Sequence, residues 1–571
     1  MLGGLLQDLR RRLSWVRFTR VAAELSSFHR IQGSKEIVDA ARYLRDIALN
    51  AGADVELIKF SYNDPPNWFE PLTGWWIRSS ELTIVEPVSY MISSFNAVPT
   101  SVVAHSPGGE FEGELIVVRG NDLPDVLDGV VLTKWGGLEK YLEMCRRGAQ
   151  AILFYRDNAP RNAVPYFSLF PTPDDVEFMN APAFSVSLRD VEELERLVKR
   201  YGRVIVKGFI KAGYTDQAEG MIVSASFGSG NTEVHLVAHY CHPAGMINDN
   251  ISGAAALAEL ALTLGSIPDV NQVLKAGRVR LVWVPEYIGS LHLLSRLTSE
   301  EGISRVAHAI NLDMVGERQS VTGSTLLFVR PPIHMLSPQE AIAYKVFREV
   351  FASTRGFLPH KRLERIRSKV INFEPGSDHE SYIAYGIPAT ALISWPDKYY
   401  HTSLDTFDKL DYDLALRASY FSFAAALNIL SSSNTEKVFS AYRNLVAGMD
   451  ILNVIDDDLL SELRTSLYRE GLHYFRSDGP SLKATEYGVP NLRLVKRSLP
   501  PEEATMLRNN YALMPWFRTA LTLTVMLVRK GLTGEGLRNA LQAELGVRVS
   551  VSAINLIITG LLSINALSIG D

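Results

Sequence analysis

Apolar positions first recur at helical spacing in S-K-E-I-V-D-A-A-R-Y-L-R-D-I-A-L-N-A-G. There Ile37, Ala40, Ala41 and Leu44 share a face and Gly52 supplies a stop. V-E-L-I-K-F then alternates as a strand does, so residues from about 15 to 60 read as helix, helix, strand. From 221 to about 432 the pattern changes. M-I-V-S-A-S-F, E-V-H-L-V-A-H, R-V-R-L-V-W-V, H-A-I-N-L-D-M and A-T-A-L-I-S-W are near-continuous apolar runs separated by helical stretches. Strands of this kind are covered on both faces, which predicts an α/β fold: a mixed central sheet with helices on either side. Ligands in such sheets bind at loops on the carboxyl ends of strands. His239, Glu286 and Asp313 fall at or just past such ends.

Between about 108 and 212 five short apolar runs sit at hairpin-like spacing: E-G-E-L-I-V-V-R, D-G-V-V-L-T-K, G-A-Q-A-I-L-F-Y, P-A-F-S-V-S and G-R-V-I-V-K-G. Helices over 138–147 and 190–200 interrupt them. The stretch reads as a small β-rich insert, and its order resembles the protease-associated domain inserted in several exopeptidase families. On that reading, residues 1–107 and 213–432 form one domain around it. From about 436 to 571 the pattern is mainly helical. Its last part, about 515–571, reads as three short helices, the order of a winged helix-turn-helix.

Composition narrows the function classes. A chain of 571 residues exceeds one ordinary core, so two to four domains are expected. With 47% hydrophobic and 21% charged residues it is globular, and a net charge of −5 gives no general attraction to nucleic acid or anionic lipid. The helix expected near 550–562 contains no charged residue, whereas phosphate binding needs Lys and Arg. Nucleic-acid binding is therefore not expected; that helix suits an intramolecular dock or a homo-oligomer interface. Two cysteines, Cys145 and Cys241, imply no disulfide framework. The N-terminus lacks a signal-type apolar core, and the uncharged stretch 550–570 breaks at Gly560. No membrane span is expected, and a cytoplasmic location is.

The chemistry concentrates in V-A-H-Y-C-H-P-A-G-M-I-N-D-N-I-S-G. Alone, His239 would be a hydrogen-bonded turn residue and Asp249 a helix N-cap. Ten positions apart across a polar loop, they read together as metal ligands, with Asn248, Asn250 and Ser252 able to support them. Glu286 follows the apolar run R-L-V-W-V-P, where a carboxylate is costly unless paired or metal-bound; its bland alternative is a cap for the next helix. Asp313, in N-L-D-M-V-G, repeats the argument. His401 lies in Y-Y-H-T-S-L-D-T, where Asp405 is placed to accept its second ring N–H. Imidazole with carboxylate suits Zn²⁺, with Mn²⁺ or Co²⁺ as alternatives, and this set has room for two ions or one.

The order His239, Asp249, Glu286, Asp313, His401, set in A-H-Y, N-D-N-I-S-G, N-L-D-M-V-G, G-S-D-H and H-T-S-L-D-T, resembles the di-zinc aminopeptidase family. That family includes bacterial leucyl aminopeptidases and glutamate carboxypeptidase, and the likeness covers about residues 15 to 432. It implies hydrolysis of N-terminal peptide bonds, with a peptide or small amide as substrate. His239 and Asp313 would hold one zinc, Glu286 and His401 the other, and Asp249 would bridge. It also implies a cis peptide after Asp249. Trp395, Tyr399 and Tyr400 would line a substrate pocket.

Two departures from the family pattern stand out. The residue two after the first histidine, normally an aspartate that orients it, is Cys241, followed by His242 and Pro243. H-Y-C-H-P marks a divergent aminopeptidase-like subgroup. Cys241 reads as a soft partner, a ligand or a buried inert thiol, and His242 as an extra ligand. The family also carries two adjacent glutamates, one a ligand and one the general base; here V-P-E-Y-I-G-S offers Glu286 alone. Glu286 is placed at the metals, with His379, Glu380 and Glu317 as base candidates, or is itself the base. The alternatives are an amide hydrolase or cyclase acting on a non-peptide, and a non-catalytic assembly protein.

Overall fold

The computed structural model describes residues 2–120, 122–300, 302–351, 366–432, 435–452 and 457–570. Its central sheet has eight strands in the order Asp54–Ser61, Glu219–Gly228, Arg278–Val284, Glu233–His239, Val306–Asp313, Ala389–Trp395, Thr325–Val329 and Ser368–Ile371. The four middle strands, Arg278–Val284 to Ala389–Trp395, run parallel, and antiparallel pairings flank them. The mixed α/β architecture is the one expected. All seven residues of Glu233–His239 are buried, as a strand covered on both faces requires.

Two groups of helices cover this sheet. Trp15–Ser27, Lys35–Asn50, Gly253–Gly265 and Tyr412–Ser431 form one, Ile288–Ser299 and His379–Ala384 the other. Gly253–Gly265 lies close to the strands because its first turn is Gly-Ala-Ala-Ala. A Cβ on Gly253 would sit 2.3 Å from the Leu312 carbonyl oxygen, and Trp283 Nε1 donates to Ala254 O at 2.9 Å. Tyr412–Ser431 is long and apolar enough to cross a membrane, yet 67% of its apolar window is buried inside the protein.

The second sheet differs from its sequence reading. All five expected strands form, at Gly109–Val117, Val130–Lys134, Ala151–Tyr155, Ala183–Ser185 and Ile205–Thr215. The first four pair in parallel rather than as hairpins. Parallel neighbours need crossovers, and the helix Gly137–Arg146 provides one. The sheet also starts well before residue 108, because Gly74–Glu86 and Tyr90–Ser94 complete it beside Ile205–Thr215. Separate apolar clusters, around Leu132 and Phe184 and around Val131 and Tyr141, pack in this part of the chain.

The C-terminal region forms the three expected helices, Phe517–Arg529, Gly534–Leu545 and Val551–Ser563, then a strand Leu567–Ile569 that pairs with Leu482–Ala484. One continuous apolar cluster runs from Leu5 through the central sheet to Leu567, so this region shares the main core. The uncharged helix Val551–Ser563 buries Ala553, Ile554, Leu556, Ile557 and Leu561 and packs on Phe517–Arg529 and Leu492–Ser498.

A buried carboxylate ties the C-terminal region to the turn that follows strand Thr325–Val329 of the central sheet. Glu544 accepts the Ile333 and His334 N–H groups at 2.8 Å each and meets His334 Nδ1 at 2.6 Å. Burial pushes its carboxyl up, but the imidazole and the two backbone donors outweigh that and leave it below the ordinary range. A depressed folded pKa stabilises above the unfolded value, and that contribution fades as pH falls through the folded one. Glu544→Gln should therefore lower unfolding free energy by about 3 kcal/mol at neutral pH. The variant should also lose less stability than the parent below about pH 4.3; denaturant unfolding across pH measures both.

Candidate metal centre

Four strand ends and one turn converge on Asp249. His239 ends its strand, and His242 follows in a loop held by Arg30. The Arg30 guanidinium is fully buried and donates to Tyr240 O at 2.7 Å, Phe28 O at 2.8 Å and Pro243 O at 3.4 Å; His242 N donates back to Arg30 O. Asp249 sits in the irregular turn Asn248–Ser252, and the Asp249–Asn250 peptide is cis, as the family resemblance implies. Asp313 ends Val306–Asp313, Glu286 lies between Arg278–Val284 and Ile288–Ser299, and His401 follows Ala389–Trp395.

The five expected ligand positions do gather, with one difference in grouping. Asp249 Oδ1 lies 3.2 Å from His239 Nε2 and 3.1 Å from His242 Nε2, while Asp249 Oδ2 lies 2.8 Å from His401 Nε2. Asp313 Oδ1 is 3.9 Å from His239 Nε2. Two triads have their ligand atoms within 4.8 Å of one another: His239, Asp249 and Asp313, and His242, Asp249 and His401. Asp249 belongs to both. Glu286 belongs to neither; it groups with His239, Cys241 and His242, its Oε2 3.9 Å from His242 Nε2. His242, rather than Glu286, is the third member of the group that holds Asp249 and His401.

The donor set fits divalent cations on two observations. Asp249 Oδ2, Asp313 Oδ1 and His401 Nε2 are buried without a hydrogen-bond partner, although the first and last lie 2.8 Å apart. Close, misaligned donor atoms suit a common ion better than one another. The electrostatics agree. Burial and the neighbouring Asp249 and Glu286 carboxylates push Asp313 up to about 7 against the pull of His239, and burial raises Glu286. Buried like charges repel, and cations would relieve them.

Supporting groups were partly misjudged from sequence. Asp405 does not brace His401. It accepts the backbone N–H of Asn248 at 2.9 Å and of Asp249 at 3.1 Å, and Asn248 Nδ2 at 3.1 Å, so it fixes the bridging loop. Asp378 instead faces the first histidine, its Oδ2 3.4 Å from His239 Nδ1, while its Oδ1 accepts Tyr287 N and Ser290 Oγ. The G-S-D-H turn was the available signal. Cys241 is a buried thiol, pushed by burial up to about 12, and accepts Glu286 N at 3.4 Å.

Three base candidates are placed elsewhere. His379 Nε2 lies 2.9 Å from Glu374 O. Glu380 accepts Tyr287 Oη at 2.6 Å and Thr522 Oγ1 at 2.8 Å, with Arg518 3.4 Å away, so it ties the C-terminal region to the turn after Glu286. Glu317 is buried with its carboxyl raised by burial and by Asp397 and Asp405. Only Glu286 among the four groups with the ligands.

The expected aromatic pocket is also redrawn. Tyr400 stacks on His401 at 3.8 Å and Trp395 meets Tyr400 edge-on at 4.9 Å, but the Tyr399 ring lies against Lys398 and Lys409. The insert supplies an unforeseen neighbour, Tyr166, whose ring meets His401 at 5.1 Å and His242 at 5.7 Å and whose N–H donates to His401 O.

Residues 118–326 match a family described as a domain of unknown function, DUF4910. No curated protein matches the chain. Among solved structures, the peptidase M28 precursor of Shewanella amazonensis SB2B gives a TM-score of 0.54 at 14% identity, over 76% of this chain and 97% of that one. A protein described as a peptidase from Clostridium acetobutylicum gives 0.53 at 13% identity, over 100% of this chain and 99% of that one. The zinc aminopeptidase of Bacillus subtilis gives 0.49 at 19% identity, over 73% and 94%. The chain has the fold of the first two.

Asp378 provides a test of the geometry independent of catalysis. Asp378→Asn keeps its shape but weakens the hold on His239 Nδ1, and should lower metal affinity about 10- to 100-fold. Competition against a chromogenic chelator reads the change, with circular dichroism confirming the fold.

Proposed function

We propose that the protein is a metal-dependent aminopeptidase, with His239 and Asp313 holding one zinc, His242 and His401 the second, and Asp249 shared. The observation that carries this reading is the pair of buried triads meeting at Asp249, with Glu286 beside them but in neither. Zinc bound in such a site polarises a carbonyl and acidifies a water. The chain's own groups do the rest. Glu286, next to the ligands and partly open to solvent, takes the water's proton and passes it to the leaving nitrogen. Asp378 keeps His239 oriented, and Asp405 keeps Asp249 in place. A free substrate α-amine is itself a nitrogen donor that one of the ions would accept, which supports cleavage at the N-terminus.

With His242 as a ligand, the missing second glutamate no longer argues for a non-peptide substrate. The missing second glutamate left one ion short of a ligand or the reaction short of a base. An imidazole 3.1 Å from Asp249 supplies the ligand and frees Glu286 for the proton. Neutral imidazole and carboxylate are both ordinary zinc donors, so the exchange keeps the coordination chemistry intact.

Two substitutions separate the roles. His242→Ala should reduce bound zinc from two equivalents to about one by elemental analysis. Glu286→Gln should retain both and lose kcat on aminoacyl amides by about 10²- to 10⁴-fold. A correctly folded parent protein that binds no zinc, manganese or cobalt would sink the proposal.

A further inference from the structure

Glu286 has a second face. On it opens a pocket of about 350 Å³, within the range of small-ligand sites. Its wall is largely apolar, with Phe69, Leu72 and Ile288 from the body of the protein and Phe170 from the insert. Its lining also holds Glu70 and Arg493, which pair with each other; Arg497 also reaches Glu70 at 3.0 Å, and Arg493 donates to Phe170 O at 2.6 Å. Glu70 and Arg493 already have partners, so apart from Glu286 the lining offers no unpaired charge for a charged side chain to meet. It is distinct from the aromatic group around Tyr400, and three parts of the chain build it.

Proton bookkeeping says which part of a substrate belongs there. In hydrolysis the water oxygen joins the carbonyl carbon and the C–N bond breaks with its electron pair going to nitrogen. The proton that Glu286 took from water then goes to that nitrogen, and the second water proton follows as the new carboxyl ionises, leaving a free carboxylate and the shortened peptide as its ammonium form. The leaving nitrogen must lie within hydrogen-bond reach of Glu286. Its own side chain, one carbon away, is then at the mouth of the pocket. We propose that this pocket receives the side chain of the residue after the scissile bond, and that the substrates are peptides whose second residue is large and apolar. This rests on the peptidase reading and on Glu286 as base.

The test uses the zinc-loaded full chain and the dipeptides Ala-Gly, Ala-Ala, Ala-Leu and Ala-Phe. The expected kcat/KM for Ala-Phe exceeds that for Ala-Gly by about ten-fold or more. Leu72→Trp, which fills the pocket, should bring that ratio close to one. Phe170→Ala, on an exposed loop, gives a second variant if the first fails to fold, and should reduce the ratio by removing part of the wall. A flat panel in the parent, or a ratio unchanged in both variants, overturns the inference. Hydrolysis of none of the dipeptides would count against the peptidase reading, and calorimetry then reads the pocket alone. Phenylalaninamide binding more tightly than glycinamide, with the difference lost in Leu72→Trp, supports the pocket; equal binding overturns it.

Discussion

A buried carboxylate among imidazoles and other carboxylates is the constraint on which the structure turns. Asp249 is 2% exposed, with three histidine nitrogens within 3.2 Å of its two oxygens and Asp313 close behind. Uncompensated, such a charge would neutralise by taking up a proton. The surrounding chain is shaped to keep it charged and fixed. Asp405 is spent on its backbone, and Arg30 on the carbonyls of the histidine loop. Four residues around the site, His242, Tyr287, Met314 and His401, hold positive φ without being glycine. Conformations of this kind are uncommon for such residues and persist where surroundings impose them. Their clustering here is what a pre-arranged ligand sphere looks like in the backbone.

Legibility followed the range of the interactions. The strands and their carboxyl ends were readable because runs such as R-L-V-W-V declare themselves locally, and His239, Asp249, Asp313 and His401 inherit their places from those ends. His242 was legible only as an extra ligand, and its grouping with Asp249 and His401, where the resemblance puts Glu286, was not. It depends on how the Cys-His-Pro loop curls against Arg30, more than two hundred residues earlier in the chain. Asp405 and Asp378 were missed or misassigned for the same reason: a carboxylate's neighbour in sequence is not its neighbour in space. In the insert, alternation identified strands but could not identify their partners, because the same pattern serves a hairpin and a parallel crossover.

The outlying parts of the chain are built into the site. Tyr166 from the insert packs against both imidazoles of one triad, and Arg156 donates to the Tyr400 carbonyl at 2.7 Å. From the other side, Arg518 lies 2.6 Å from the Tyr287 hydroxyl, while Thr522 binds Glu380. Tyr287 is the residue after the proposed base, its N–H held by Asp378. The position of Glu286 is thereby coupled to the C-terminal helices through one side chain and to the first histidine through one carboxylate. Removal of the C-terminal region would expose part of a continuous core and unmake this support together.

The two departures from the aminopeptidase pattern then compensate one another. An aspartate at position 241 would add a carboxylate to a pocket already holding Asp249, Asp313, Glu286 and Asp378. The thiol of Cys241 stays neutral, its pKa pushed by burial up to about 12, and serves as a weak acceptor for Glu286 N. Asp378, from a distant turn, is the carboxylate that faces His239 Nδ1, at 3.4 Å. On the proposed reading, His242 likewise adds a nitrogen donor where the family pattern has a carboxylate. On that reading, the four carboxylates would match the charge of two divalent cations, a balance that a further glutamate or aspartate would upset at the dielectric of a buried site. Changing either position alone would leave the centre short of a ligand or burdened with an anion. The pair of changes leaves it whole.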